Sequence, residues 1–288
     1  MMRENVEFKS LDGTPLAAFL YTPDSGSGLF PAIVLSHGFG AVKEMALDRY
    51  ADVFCAAGFA CLVYDHRKTG ASGGALRGEI DPWQQISDMR DAITYVGSRE
   101  EVDTERIGLW GTSFAGGHSL VVAATDRRVK CVVSVVPTIS GHENTIRVLT
   151  SEGYAAFVRE VNEERARRQR GEEPQMIPIS KEGDESYEWS KVAGAGTTYV
   201  NACTLLSRAF RDAYEPGSYI AAISPTPLLL AVATHDTKCL TDLQLEAYLT
   251  AQEPKRLEMF PGGHYDPYTK QLAAIASASR DWFETYLG

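Results

Sequence analysis

The stretch GLWGTSFAGG, residues 108–117, places Ser113 two residues after Gly111 and two before Ala115. RIGLWGT (106–112) reads as an apolar strand, and SFAGGHSLVVAA opens a helix straight after it. A Ser at such a bend sits on a sharp strand-to-helix turn, where small residues are needed on both sides because the chain packs against neighbouring backbone. Gly111 and Ala115 meet that need, with Ala standing where a second Gly is commoner. The same spacing also occurs in ordinary loops. Whether Ser113 is a nucleophile therefore depends on what surrounds it.

Working outward, five more strands are expected: PAIVLSHG (31–38), FACLVYD (59–65), VKCVVSVVP (129–137), PLLLAVATHD (227–236) and KRLEMF (255–260). Near-continuous apolar strands of this kind suit a parallel sheet covered on both faces. Upstream, VEFKS and LAAFLYTP flank an Asp12-Gly13 turn and read as an antiparallel hairpin. Helical periodicity joins Leu47, Tyr50, Phe54 and Ala57, then Ile86, Met89, Ile93 and Val96. Asp81-Pro82 supplies an N-cap followed by Pro at the first helical position. Leu272, Ile275, Trp282 and Tyr286 mark a final helix. Strand and helix alternating in this way predict a mostly parallel, doubly wound α/β sheet with an N-terminal antiparallel hairpin.

The rhythm breaks once, from Thr138 to Ser224. Tyr154, Phe157, Val158 and Val161 fit one amphipathic helix, which runs into the charged tract REVNEERARRQRGEE, read as a solvated helix face. Tyr199, Cys203, Leu206 and Phe210 fit another. An excursion of this length is expected to be a helical cap, 138–224, inserted into a core made of 1–137 and 225–288.

At 288 residues the chain suits one α/β unit, with 44% hydrophobic and 23% charged residues giving it enough apolar side chains for a sizeable core. The net charge of −10 argues against a nucleic-acid binder, which needs a basic surface. MMRENVEFKSLDG lacks an apolar run of signal-peptide length, and no later segment reaches 18 uninterrupted apolar residues, so a soluble, cytoplasmic protein without a membrane partner is expected. Cys55, Cys61, Cys131, Cys203 and Cys239 are odd in number and scattered, which points to buried free thiols rather than disulfides or a zinc site.

A Ser hydroxyl is a poor nucleophile until a base takes its proton and an acid orients that base. In this architecture the chain order is Ser, then Asp or Glu, then His. Asp236 follows the strand PLLLAVATH, at a carboxyl end where sites collect, and His264 follows the next strand in FPGGHYDPY. Their rivals are less well placed. Asp65 precedes Ser113 and is assigned to organising the DHRKTGAS loop, and Asp266 to structuring its own loop. Glu143 ranks below Asp236 as the acid because it lies six residues beyond Pro137. His118 lies on the helix behind Ser113, where packing is expected. His66 and His142 have no partner spacing, and His235 would point away from Asp236 if the strand persists. An oxyanion needs two fixed backbone amides. Phe114, directly after Ser113, supplies one, and Phe39 in SHGFG (36–40) the other.

These motifs, SHGFG, YDHRKTGAS, GTSFAGG, THD and GGH in that order, resemble the α/β-hydrolase superfamily along nearly the whole chain. DPWQQISDMRDAITYV, YEPGSYIAAISPTPLLL and FPGGHYDPY are similar to its dienelactone-hydrolase-like branch, which includes esterases, acyl-peptidase-like enzymes and fungal polyketide transferases. The resemblance implies a serine hydrolase that cleaves a small-molecule ester or thioester with Ser113, His264 and Asp236 and needs no metal or organic cofactor. Acyl transfer or amide hydrolysis by the same residues remains open, as does a homodimer through the cap. The cap aromatics Tyr154, Phe157, Tyr187, Trp189, Tyr199 and Phe210 are candidates for the substrate pocket, at least half of them expected only to pack.

Overall fold

The apolar runs become one eight-stranded sheet in a computed structural model of the chain, which describes residues 1–24 and 28–288. In chain order the first half comprises β1 (Met2–Lys9), β2 (Pro15–Thr22), β3 (Phe30–Ser36), α1 (Leu47–Ala56), β4 (Ala60–Tyr64), α2 (Pro82–Gly97), β5 (Val102–Thr112), α3 (Phe114–Thr125) and β6 (Val129–Val135). Next come α4 (Gly141–Val148), α5 (Ser151–Gln169), β7 (Met176–Ile177), α6 (Glu185–Ala193), β8 (Cys203–Thr204) and α7 (Leu205–Asp212). The chain finishes with β9 (Leu228–Ala233), α8 (Thr241–Thr250), β10 (Lys255–Phe260) and α9 (Leu272–Leu287). The strand order is β1-β2-β4-β3-β5-β6-β9-β10. β1 and β2 form the antiparallel hairpin, β2 also runs antiparallel to β4, and all remaining pairs in the sheet are parallel.

Side-chain alternation along β5 shows why the sheet is covered twice. Leu109 packs into the layer shared with α2 and α3, whereas its neighbour Trp110 enters the opposite layer with Phe54 of α1 and Phe283 of α9. Asp81 caps α2 as expected, its carboxylate accepting from the Trp83 amide, with Pro82 first in the helix. In α9 the expected apolar face is buried at Leu272, Ile275 and Trp282 and continues through Phe283 and Leu287. Tyr286 instead stands edge-on to the Trp282 indole at the rim and stays exposed. All five cysteines are free and buried. Among the described residues no helix is long and apolar enough to cross a membrane.

Between β6 and β9 the chain leaves the sheet through α4, α5, α6 and α7. Two sequence expectations need correction here. Tyr199 and Cys203 are not helical. β8 pairs with β7, and the Thr204 and Leu205 amides donate to the Gly78 and Gln175 carbonyls, so this extended pairing delays α7 until Leu205. Nor is the charged tract wholly solvated. Glu164 is buried on α5, where it accepts from Arg168 Nε at 2.8 Å and from the Gln175 amide at 3.0 Å, while Arg168 also pairs with Glu79. The connection regains the sheet layer at Tyr214, where a 3-10 turn over Pro216–Ala222 packs on α3. A Cβ at Gly117 of α3 would lie 2.8 Å from Pro216 Cγ.

Candidate active site

β5 delivers Ser113 at its carboxyl end with φ 57° and ψ −118°, a conformation costly for any residue with a Cβ. Surrounding contacts hold it there. The Ser113 amide donates to the Val135 carbonyl at 2.8 Å, and the Ser113 carbonyl accepts from Thr138 at 3.0 Å, tying the bend to the end of β6. A Cβ at Gly111 would collide with Ser119 Oγ and the Ala115 carbonyl, which explains the glycine two residues before the bend.

β9 and β10 bring up the other two groups. After β9 the Asp236 amide donates to Thr241 Oγ1, which in turn donates to the Ala233 carbonyl, closing a tight turn onto α8. Asp236 Oδ1 accepts from the Lys238 and Cys239 amides, both at 2.8 Å, leaving Oδ2 to face His264 Nδ1 at 2.8 Å. After β10, the His235 amide donates to the Gly262 carbonyl and the Gly263 amide to Asp266 Oδ2, pinning the loop that carries His264. Gly262 has φ 122°, and a Cβ there would strike the Asp266 carboxylate. His264 Nε2 then lies 2.9 Å from Ser113 Oγ. Asp236 and His264 are both buried, while Ser113 is partly exposed to the pocket.

Electrostatics follow this geometry. Burial disfavours the charged Asp236 carboxylate, but the His264 ring and the Cys239 and Lys238 amides outweigh it and hold the carboxyl below its ordinary value. Cys239, buried with its Sγ 4.0 Å from Ser113 Oγ, is pushed up to about 12, by burial first and the nearby Asp236 charge second. It stays a neutral thiol. Thr112 Oγ1 and the Tyr268 hydroxyl, 2.7 Å apart, close the floor beside Ser113.

The loop after β3 comes close to the same point. A Cβ at Gly38 would sit 2.9 Å from Ser113 Cβ, so only glycine lets Phe39 follow at this distance. The Phe39 and Phe114 rings meet edge to face at 5.3 Å. Among the described residues neither backbone amide donates to a protein acceptor, which leaves both available to a ligand oxygen.

The rivals lie elsewhere. Asp65 is fully buried and accepts from the Lys43 amide and ammonium, both at 2.7 Å, and from the Ala71 amide at 2.8 Å, joining the two loops that follow β3 and β4. His118 bridges the Tyr214 hydroxyl and Gln85 in the core. His66 is buried between His37 and His118, and burial holds its pKa well below the ordinary value. Glu143 pairs with Arg147 on the surface, His142 with Asp212, and exposed His235 contacts Thr234. Asp266 structures its own loop. Among the described residues no three His, Cys, Asp or Glu side chains gather at metal-ligating positions.

Above Ser113 lies a cavity of about 580 Å³, floored by the sheet's loops and roofed by the β6–β9 connection. Of the six candidate aromatics only Phe157 and Trp189 line it, and Trp189 also stacks on Tyr265 at 5.0 Å. Tyr154 instead hydrogen-bonds Asp212, and Tyr199 bonds Asn201. Sequence reasoning missed Cys239, Gln244 and Arg211. Gln244 donates to Asp236 Oδ2 at 3.3 Å, but its position on α8 carries no spacing signal. Cys239 could have been found from the Asp236 turn, since an Asp side chain commonly caps amides two or three residues on.

A family model described as X-Pro dipeptidyl-peptidase (S15 family) matches residues 12–266. The chain belongs to this family. It is an α/β-hydrolase enzyme, with relatives in the polyketide-transferase-like branch. A thiohydrolase of Aspergillus aculeatus is 32% identical over 88% of this chain and 84% of its own. A polyketide transferase of a Penicillium species is 30% identical over 99% and 97%. The crystal structure of the α/β-hydrolase GrgF from Penicillium sp. sh18 superposes with a TM-score of 0.87 at 29% identity, covering 100% of this chain and 99% of that one.

Proposed function

We propose that this enzyme cleaves a carboxylic ester or thioester through an acyl-enzyme on Ser113. The observation that carries the reading is the unbroken relay from Ser113 Oγ through the His264 ring to Asp236, with contacts of 2.9 and 2.8 Å. Ser113 attacks the carbonyl carbon as its proton passes to His264 Nε2. Negative charge developing on the carbonyl oxygen is taken by the Phe39 and Phe114 amides. The imidazolium, stabilised by Asp236, then gives its proton to the departing alcohol or thiol. Water, deprotonated by His264, attacks the acyl carbon, the Ser113–acyl bond breaks, and the acid is released with Ser113 restored.

Residues 138–224 act as the cap over this site, and the substrate is a small molecule met in the cytoplasm. Support for the cap comes from the cavity, whose roof is drawn from α4, α5, α6 and α7. Acyl transfer is the second reading, favoured by the polyketide transferase among the relatives. The two differ only in whether water or another nucleophile reaches the acyl-enzyme, which the cap controls. A panel of acyl esters and thioesters on wild type and Ser113→Ala, with an alcohol or amine acceptor present, tests both. Retention of most turnover by Ser113→Ala ends the Ser113 mechanism, and exclusive hydrolysis ends transfer.

A further inference from the structure

α7 carries two cations into the cavity wall, Arg208 and Arg211, one turn apart. The Arg211 guanidinium carbon lies 5.2 Å from the centroid of the Phe39 ring, beside the residue whose amide is assigned to the oxyanion. Among the described residues Arg211 has no carboxylate within ion-pair reach and its side chain donates no hydrogen bond. Its neighbour Asp212 is turned away, accepting from Tyr154 and facing His142. Among the described residues Arg208 donates only to the Pro178 carbonyl, at 3.3 Å. Lys238 adds a third cation to the lining, against a single lining carboxylate among the described residues, Asp184. In a chain of net charge −10, this concentration of positive charge at one cavity runs against the average composition.

A partly buried guanidinium without an anion loses hydration that nothing in the protein replaces. Burial, with the Arg208 charge behind it, pushes the Arg211 pKa down, as expected for a cation lacking its partner. Stacking on Phe39 offsets some of that cost and aligns the planar fork. That fork is the geometry that takes a carboxylate or phosphate through two parallel hydrogen bonds.

We propose that Arg211, with Arg208 beside it, anchors an anionic group of the substrate, so that the ester or thioester presented to Ser113 carries a carboxylate or phosphate near its reacting carbonyl. This rests on the reading of Ser113 as nucleophile. The anion can belong to the acyl part or to the leaving group, and paired substrates separate the two. One arm compares the p-nitrophenyl half-ester of glutaric acid with p-nitrophenyl pentanoate. The other compares butyrate esters of a phosphate-bearing phenol and of its neutral parent. Wild type is expected to favour the anionic member in at least one arm by about 10- to 100-fold in kcat/KM, the range of a charge-assisted hydrogen bond. Arg211→Met should bring that ratio close to unity, with Arg211→Lys intermediate. A ratio that Arg211→Met leaves unchanged, or a wild type favouring the neutral member in both arms, overturns the proposal. Calorimetry of glutarate and of phenyl phosphate on Ser113→Ala reads the anchor without turnover. Binding of at least one that is lost in the Ser113→Ala, Arg211→Met double variant supports it, and no binding of either counts against it. Failure of the nucleophile reading would look different, as undiminished turnover of every ester by Ser113→Ala.

Discussion

The floor and the roof of the cavity are built on opposite terms. The floor rests on strands such as β9, every residue of which is buried, and on α3, which exposes only Thr125. The roof hangs from α5, whose nineteen residues bury only Val161 and Glu164. Groups that the proposed mechanism needs held to fractions of an ångström come from the first region, at the ends of β3, β5, β9 and β10. Cavity-wall groups that on the proposed reading would choose a substrate, Arg211 and Phe157 among them, come from the second. A tightly packed interior transmits position well, whereas a polar helix pinned by Glu164, Arg168 and Glu79 can change its inward face without disturbing the chemistry.

The largest effect expected from breaking the floor is at Ser113. Ser113→Ala should lower kcat on any accepted ester by roughly 10⁵- to 10⁶-fold with the fold intact by circular dichroism. Asp236→Asn should cost about 10⁴-fold, because the His264 ring loses the acceptor that fixes its tautomer. A loss under tenfold in steady-state assays would remove Asp236 from the relay. For stability, Trp110→Ala leaves a cavity in the layer against α9 and should cost about 3–5 kcal/mol, while Val192→Ala, on an exposed turn of α6, should stay within about 0.5 kcal/mol. Similar shifts for both in urea titrations would erase the contrast between floor and roof.

Smaller effects sharpen the same comparison. The native Asp236 carboxyl sits below its ordinary 3.8. Its contribution to stability is therefore whole above about pH 4 and is lost as pH falls through the depressed value. The Tm gap between wild type and Asp236→Asn should be widest above pH 4 and narrow in acid, and a gap that widens in acid contradicts the sign. Smallest of all, Cys239 should resist iodoacetamide at pH 8, since its thiol is pushed up to about 12. Rapid alkylation of Cys239 followed by mass spectrometry would show the floor to be looser than described.

Legibility in the sequence follows the same division. Strands buried on both faces announce themselves as apolar runs, so β3, β4, β6, β9 and the second half of β5 could be read directly. The edge strand β10, which buries only Phe260, shows a shorter and more mixed run. Ser113, Asp236 and His264 follow the ends of β5, β9 and β10 as the sequence expects. The connection could not be read as well. Cys203 entered a helical stripe because its spacing from Leu206 and Phe210 fits one, yet a pairing with Met176 and Ile177, more than twenty residues away in sequence, makes it a strand. Glu164 looked solvated because its neighbours are, and only the fold brings Gln175 and Arg168 onto it. Arg211 carried no signal either, since a lone arginine on a short helix is ordinary until the cavity beneath it is known. Periodicity reports burial against a layer. It does not report which polar side chain a distant loop will meet.

The central claim is that the bend opening α3 exposes an activated nucleophile, and its most direct measurement is covalent labelling. The protein is incubated with a fluorophosphonate, its intact mass recorded, and the modified residue located by peptide mapping. A single adduct on Ser113, absent in both Ser113→Ala and His264→Ala, is the predicted result. An unlabelled wild type, or an adduct carried by another residue, would contradict it.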